Sequence, residues 1–229
     1  MLKSLQNFVV FFIITIFVFS SLPAQEPPSW LQTGNLQSAY NVRDFLEIPN
    51  VNVILACGKY DYYSNGNGIW KSTDGGVTWA LKGTSTHGTL YQFAYDSLNH
   101  KIFVCGNGGP NLFYSLNYGD NWASISNPVV GGGASYSIQI IGQKLYVAFH
   151  DNTFYSALLY RLDFSDSDPA NWFWEFVMQY PQLDHIMRLA VKDDILYLFG
   201  KDKTTDGLRI FTYNPAADGR QARRMENVV

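Results

Sequence analysis

Ser72-Thr73-Asp74-Gly75-Gly76-Val77-Thr78-Trp79 and, 43 residues later, Ser115-Leu116-Asn117-Tyr118-Gly119-Asp120-Asn121-Trp122 carry Ser, Asp or Asn, Gly and Trp at the same offsets. An aromatic residue, Trp70 or Phe113, stands two places before each Ser. A short Asp or Asn side chain accepts hydrogen bonds from backbone N–H groups just ahead of it and closes a turn on itself. Gly76 and Gly119 fall where a tight connection between strands calls for positive φ, which costs glycine nothing. The Ser hydroxyl, with Thr78 in the first copy, satisfies further local backbone groups. The Trp opens the next strand, burying its ring while its N–H finds a partner. One such turn is a weak signal. Two, at the spacing a four-stranded sheet occupies, predict a repeat architecture.

The flanking sequence keeps the same register. Apolar runs at Val53–Gly58, Ile102–Gly106, Leu145–Phe149 and Leu196–Gly200 each follow another strand-like run, at Val42–Ile48, Leu90–Tyr95, Tyr136–Ile141 and Ile186–Val191. Their β-branched and aromatic content suits strands buried between packed sheets. The third repeat carries a stretched turn from Tyr160 to Trp172, in which Asp163, Ser165 and Asp166 suggest about three extra residues. The fourth reaches a third strand near Leu208–Tyr213 and then loses the pattern.

The two turns resemble the Asp-box, or BNR repeat, of sialidase-like and sortilin-like β-propellers, through Ser72, Asp74, Gly76, Thr78 and Trp79 and through Ser115, Asn117, Gly119 and Trp122. The resemblance implies an all-β fold of four-stranded antiparallel blades, near residues 40–83, 89–127, 134–180 and 185–213 within a domain at 25–214. Residues 29–34 (Ser-Trp-Leu-Gln-Thr-Gly) are similar to Thr78–Gly83 and are expected to close the last blade as its outer strand. Residues 215–229 read as an irregular tail. Propellers of this family usually have six or more blades, so the chain is expected to be part of a larger propeller. A tight four-blade ring is the alternative, and an open arc would expose an apolar blade face.

Residues 1–24 read as a signal peptide: Lys3, an apolar run from Phe8 to Phe19 broken at Thr15, and a cleavage region at Ser20–Ala24. The run falls short of the roughly 20 residues that span a bilayer. A secreted, periplasmic or cell-surface protein follows, with no membrane segment after cleavage. The formal net charge of -3 and the absence of a basic cluster outside Arg220, Arg223 and Arg224 give no support for nucleic-acid binding. Cys57 and Cys105 occupy equivalent places on the second strands of neighbouring blades. Blades pack about 10 Å apart, beyond the roughly 7 Å between Cα atoms that a disulfide tolerates. Two buried free thiols are the expectation.

Propeller ligands sit over the central channel, on the face built by second-to-third-strand loops and blade connections; the repeated turns lie on the opposite face. Asp74 and Asn117 are therefore turn-formers. Candidates on the ligand face are Tyr60, Asp61, Tyr62, Tyr63, His87, His150, Asp151, Asp184 and His185, with Tyr180, Lys201 and Asp202 beside them. Asp61 among three tyrosines suits a sugar. No two of these histidines have the i, i+2 or i, i+4 spacing of metal ligands, so neither metal nor cofactor is expected. The glycine runs do not follow a strand-to-helix pattern, so they are not phosphate cradles. Nor is there a Gly-x-Ser-x-Gly elbow.

Family sialidases use an arginine triad, a Tyr nucleophile backed by a Glu, and an Asp acid. Their first arginine lies in an Arg-Ile-Pro motif, and the corresponding stretch here is Arg43-Asp44-Phe45. Arg161, Arg188 and Arg209 carry no motif. A pair of carboxylates for another glycosidase could come from Asp61, Asp151, Asp184 or Asp202. The sequence thus favours a non-catalytic binding or scaffold module for a protein or carbohydrate partner, with a sialidase-like or other glycoside hydrolase as the alternative.

Overall fold

The computed structural model describes residues 36, 39, 41–59, 67–85, 88–108, 111–129, 133–151, 155–205, 207–217 and 223–224. All lie in one compact unit, Thr33–Val229. They form four antiparallel sheets of four strands, each in simple sequential order. The first holds β1 (Asn41–Ile48), β2 (Val53–Lys59), β3 (Asn67–Ser72) and β4 (Ala80–Ser85); the second holds β5 (Thr89–Asp96), β6 (Lys101–Asn107), β7 (Leu112–Ser115) and β8 (Ala123–Ser124). The third holds β9 (Gly133–Ile141), β10 (Lys144–Asp151), β11 (Ser156–Asp163) and β12 (Phe173–Tyr180). The fourth holds β13 (Leu183–Lys192), β14 (Ile195–Asp202), β15 (Leu208–Tyr213) and β16 (Arg223–Arg224).

The C-terminal segment departs from the sequence reading. Arg223 and Arg224 pair with Thr212 and Phe211, so a two-residue strand interrupts the tail and gives the fourth sheet its outer member. Such a short segment has no alternation to betray it. The expectation for residues 29–34 falls outside the described residues.

Three apolar clusters hold the sheets together, one at each junction between consecutive blades. Leu55, Cys57 and Ile69 meet Leu90, Phe93 and Val104 at the first. Phe103, Cys105 and Leu112 meet Ile138, Val147 and Phe149 at the second. Tyr146, Leu159 and Tyr180 meet Leu189, Leu198 and Phe211 at the third. Among the described residues no cluster joins the fourth blade to the first. The opposite face of β14 carries half-buried Ile195, Tyr197 and Phe199. Cys57 and Cys105 are buried and unbridged, and burial raises both thiols well above the ordinary value, which leaves them inert apolar filler.

The repeated turns share hydrogen bonds at equivalent positions. Gly76 N–H donates to Ser72 Oγ and Thr78 N–H to Asp74 Oδ1, each at 2.9 Å, while Trp79 Nε1–H returns to Gly76 O at 2.9 Å. In the second copy Gly119 N–H reaches Ser115 Oγ and Asn121 N–H reaches Asn117 Oδ1, both at 2.9 Å, and Trp122 Nε1–H reaches Gly119 O at 3.1 Å. Gly76 and Gly119 have φ of 90° and 81°. The second turn is also pinned to the preceding blade, since Asp120 pairs with Lys71 at 2.9 Å and Lys82 at 3.0 Å. In the third blade the turn holds a 3-10 helix, Pro169–Asn171, capped by the Asp168 side chain. Lys101 of the second blade reaches across to Phe164 O and Asp166 O.

The hydroxyl of Thr78, then its N–H and the Ser72 hydroxyl, hold the Asp74 carboxyl down at about 2. That lies below the unfolded value of about 3.9. The charge therefore stabilises the fold fully above the unfolded pKa, and this contribution disappears as pH falls through about 2. Asp74→Asn should fold with the turn intact, as Asn117 does in the second copy. Its melting temperature should lie below that of the parent at pH 6, with the gap closing towards pH 2 in a thermal-denaturation series. A gap that stayed constant with pH would refute this account of the turn.

Candidate ligand-binding face

The innermost strand of every blade carries a β-bulge at the same place. The register skips Arg43 between Val42 and Asp44, Tyr91 between Leu90 and Gln92, Tyr136 between Ser135 and Ser137, and Met187 between Ile186 and Arg188. A bulge leaves one residue unpaired and re-aims side chains. In three blades the second strand meets the bulge with a glycine, Gly58, Gly106 or Gly200. A Cβ on Gly58 would lie 2.0 Å from Asn41 O, and one on Gly106 would lie 2.4 Å from Thr89 O.

The residue after each bulge ties one blade to the next. Phe93 N–H donates to Asp44 Oδ2 at 2.8 Å, Ile138 N–H to Gln92 Oε1 at 3.2 Å, and Leu189 N–H to Ser137 Oγ at 2.8 Å. Ser137 Oγ–H in turn donates to Gln92 Oε1 at 2.5 Å. Inner-strand N–H groups that have no strand to pair with are thus satisfied by the blade before. The fourth blade carries Arg188 at this position, a side chain that donates and never accepts.

These latches fix the backbone beneath a continuous row of rings. Tyr91 and Tyr136 stack at 5.4 Å with their planes 29° apart. Tyr136 meets His185 at 5.3 Å and His150 at 6.4 Å. His150 lies 6.3 Å from His185 and 6.2 Å from Tyr155. His150 Nδ1 faces Asp184 O at 2.9 Å; a carbonyl only accepts, so Nδ1 carries a proton there. His185 Nδ1 lies 3.0 Å from Asp184 Oδ2, which places a proton on it in the same way. Burial raises the Tyr91 phenol, with Tyr136 adding to the effect and the Arg43 charge opposing it. Burial and then the Asp184 charge raise Tyr136. Both phenols are therefore neutral donors, with Arg43 at one end of the row and Asp184 at the other.

His150, Asp184 and His185 are thus brought together. Asp151 ends β10 and is 7% exposed. Tyr60, Asp61, Tyr62, Tyr63 and His87 lie outside the described residues. Tyr180 belongs to the third apolar cluster and is 3% exposed. Asp202, 1% exposed, accepts from Thr204 N–H, Thr204 Oγ–H and Thr205 N–H and pairs with Arg209. It shapes the loop before β15. Arg161 is held by Glu175, on the third strand of its blade rather than on the inner row. Among the described residues no three of His, Cys, Asp and Glu gather as a metal site. Arg43, Tyr91, Tyr136 and Tyr155 are the members of this row that sequence reading did not single out. For Arg43, Tyr91 and Tyr136 the signal was an equal offset, five residues ahead of the strand ends Ile48, Asp96 and Ile141; Tyr155, in the connection before β11, carried no such signal.

No family model and no curated protein matches the chain. Solved structures do. A chain of the nidogen/laminin complex aligns with a TM-score of 0.60 and 12% identity over 81% of this chain and 65% of its own. YCF48 bound to D1 peptide aligns at 0.56 and 13%, over 80% of this chain and 52% of its own. The Hadza microbial sialidase Hz136 aligns at 0.50 and 13%, over 77% and 44%. The chain spans about half to two thirds of the length of these structures. At such identities the likeness carries the fold alone. Four consecutive four-stranded antiparallel blades and these neighbours together make the chain a β-propeller.

Proposed function

We propose that this chain is an exported Asp-box propeller that acts as a non-catalytic binding module, holding an extended segment of a partner protein on the ring row at the upper face. The observation that carries this reading is the bulge repeated in all four inner strands, which presents Arg43, Tyr91, Tyr136 and Met187 at one level. Rings held by packing and latches offer large contact area at little entropic cost. Arg43 and Asp184 at the two ends give a bound segment a direction through charge. Among the described residues the carboxylates open to a glycosidase are already engaged: Asp202 serves its own loop, Asp151 is buried, and Asp184 is engaged by His185; Asp61 lies outside the described residues. Two of the structural neighbours are complexes with a protein or peptide partner, which agrees with this reading.

The test is a selection from a random-peptide display library on the folded chain. Enrichment of a sequence family that no longer binds Tyr136→Ala or His185→Ala is the expected result. Selected peptides that bind both variants as well as the parent would remove the ring row from the account. Turnover of fluorogenic glycosides by the purified chain would instead favour the hydrolase alternative.

A further inference from the structure

The opposite rim of the molecule holds a second concave surface, between the second and third blades. It is a groove of about 540 Å³ lined by Tyr114, Trp172 and Trp174 with Ser124, Ser126 and Asp168 at its edges, a size within the usual range of small-ligand sites. The lengthened third turn builds one wall. In the first two turns four residues without helix separate the Asp or Asn from the Trp; here the 3-10 helix Pro169–Asn171 stands between Asp166 and Trp172.

The rings are fixed before any ligand arrives. Trp172 Nε1–H donates to Asp166 O at 3.0 Å, and Trp174 Nε1–H donates across the blade junction to Ser126 O at 2.9 Å. Tyr114 packs edge-on against Trp172 at 4.9 Å. Phe149 holds Trp174 from within at 5.7 Å, and Lys101 lies 5.2 Å from the Trp172 ring. Both indole N–H groups are thus used internally, and the indoles contribute faces rather than donors. The Ile125 N–H is likewise taken, by Leu112 O at 2.9 Å. The polar groups left for a ligand are the exposed Ser124 and Ser126 hydroxyls and the Asp168 carboxylate, of which one oxygen caps Ala170 N–H at 2.9 Å.

We infer that this groove binds a neutral oligosaccharide. A pyranose offers an apolar C–H face for each ring and a rim of hydroxyls for the serines and the carboxylate, which is the combination the groove presents. A peptide would look for backbone partners, and the N–H of Ile125 at the groove floor is already paired. An acidic sugar would bring its charge against Asp168, with Lys101 facing the carbonyls of Phe164 and Asp166 instead. The site is separate from the ring row and does not depend on it.

The experiment is isothermal titration of the chain with cellohexaose, mannohexaose and chitohexaose, with hexagalacturonic acid as the acidic control. At least one neutral sugar is expected to bind, and the acidic one is not. Trp174→Ala should weaken binding about tenfold or more. Because that change also opens space beside Phe149, Ala170→Trp serves as a second variant: Ala170 is exposed, and a bulky ring there fills the groove without touching the core. It should abolish binding while the far-ultraviolet spectrum stays unchanged, and Tyr136→Ala should bind sugar as the parent does. The inference is overturned if no neutral sugar binds, if binding survives Ala170→Trp, or if a proline-rich hexapeptide competes for the groove better than the sugars do.

Discussion

Phe103→Ala should lower stability by about 3–5 kcal/mol, the range for removing a fully buried Phe. Phe103 has no solvent exposure and sits at the junction of the second and third blades. Its ring meets Phe164 at 4.9 Å and Trp172 at 5.7 Å, so one side chain supports both the blade packing and the base of the third turn. Two β-sheets fixed by their own ladders cannot close on the space a phenyl leaves, and the cavity term adds to the lost burial. At about 2–4 °C per kcal/mol for a chain of this size, the melting temperature should fall by roughly 6–20 °C. A fall of only one or two degrees would mean that the blades do not depend on this junction.

Gln92→Leu should cost about 1–3 kcal/mol for each donor it orphans. Gln92 is buried, and its carbonyl oxygen accepts from both Ser137 Oγ–H and Ile138 N–H. Leucine fills a similar volume and accepts nothing. Ile138 lies on the innermost strand of its sheet, where β10 takes one edge and no strand takes the other; its N–H would be buried without a partner. Gln92→Glu keeps an acceptor and should recover part of the loss at acidic pH, where the carboxyl is neutral, and less above neutral pH, where a buried carboxylate carries its own desolvation cost. Equal destabilisation by both substitutions at acidic pH, read in a urea titration, would show that packing rather than the latch matters at this site.

The sequence made the sheets legible where side-chain chemistry repeats with the backbone. The paired runs Val42–Ile48 and Val53–Gly58, and their three counterparts, were legible as strands because they are short apolar runs rich in β-branched and aromatic residues, as strands buried between packed sheets are. The turns were legible because a short acceptor, a positive-φ glycine and a Trp recur at fixed offsets, and each makes the bond its chemistry permits. The ring row was not. A bulge breaks the period of two of a strand, and its four occupants share a level in the fold but not a common residue type: two are Tyr, the others Arg and Met. His150 and His185 could be singled out as loop-end residues, whereas Tyr136, which brings them together, read as an ordinary strand residue. The groove shows the same limit. The third turn reads as about three residues longer, whereas its paired strand ends (Asp163 with Phe173, against Lys71 with Ala80 and Tyr114 with Ala123) enclose one more residue than the others; its helix beside Trp172 depends on the Asp168 cap and on Lys101 from the neighbouring blade. Arg223 and Arg224 form a strand through their pairing with β15, which nothing local encodes.

The central claim, that the upper-face rings hold a partner segment, is tested most directly by titrating one display-selected peptide against the parent chain and against Tyr136→Ala, with melting curves confirming that both are folded. Tyr136 touches Tyr91, His150 and His185, so its removal interrupts the row at its centre. The account predicts binding weakened about tenfold or more, the loss expected for a central aromatic anchor. Equal affinity for the two proteins would contradict it.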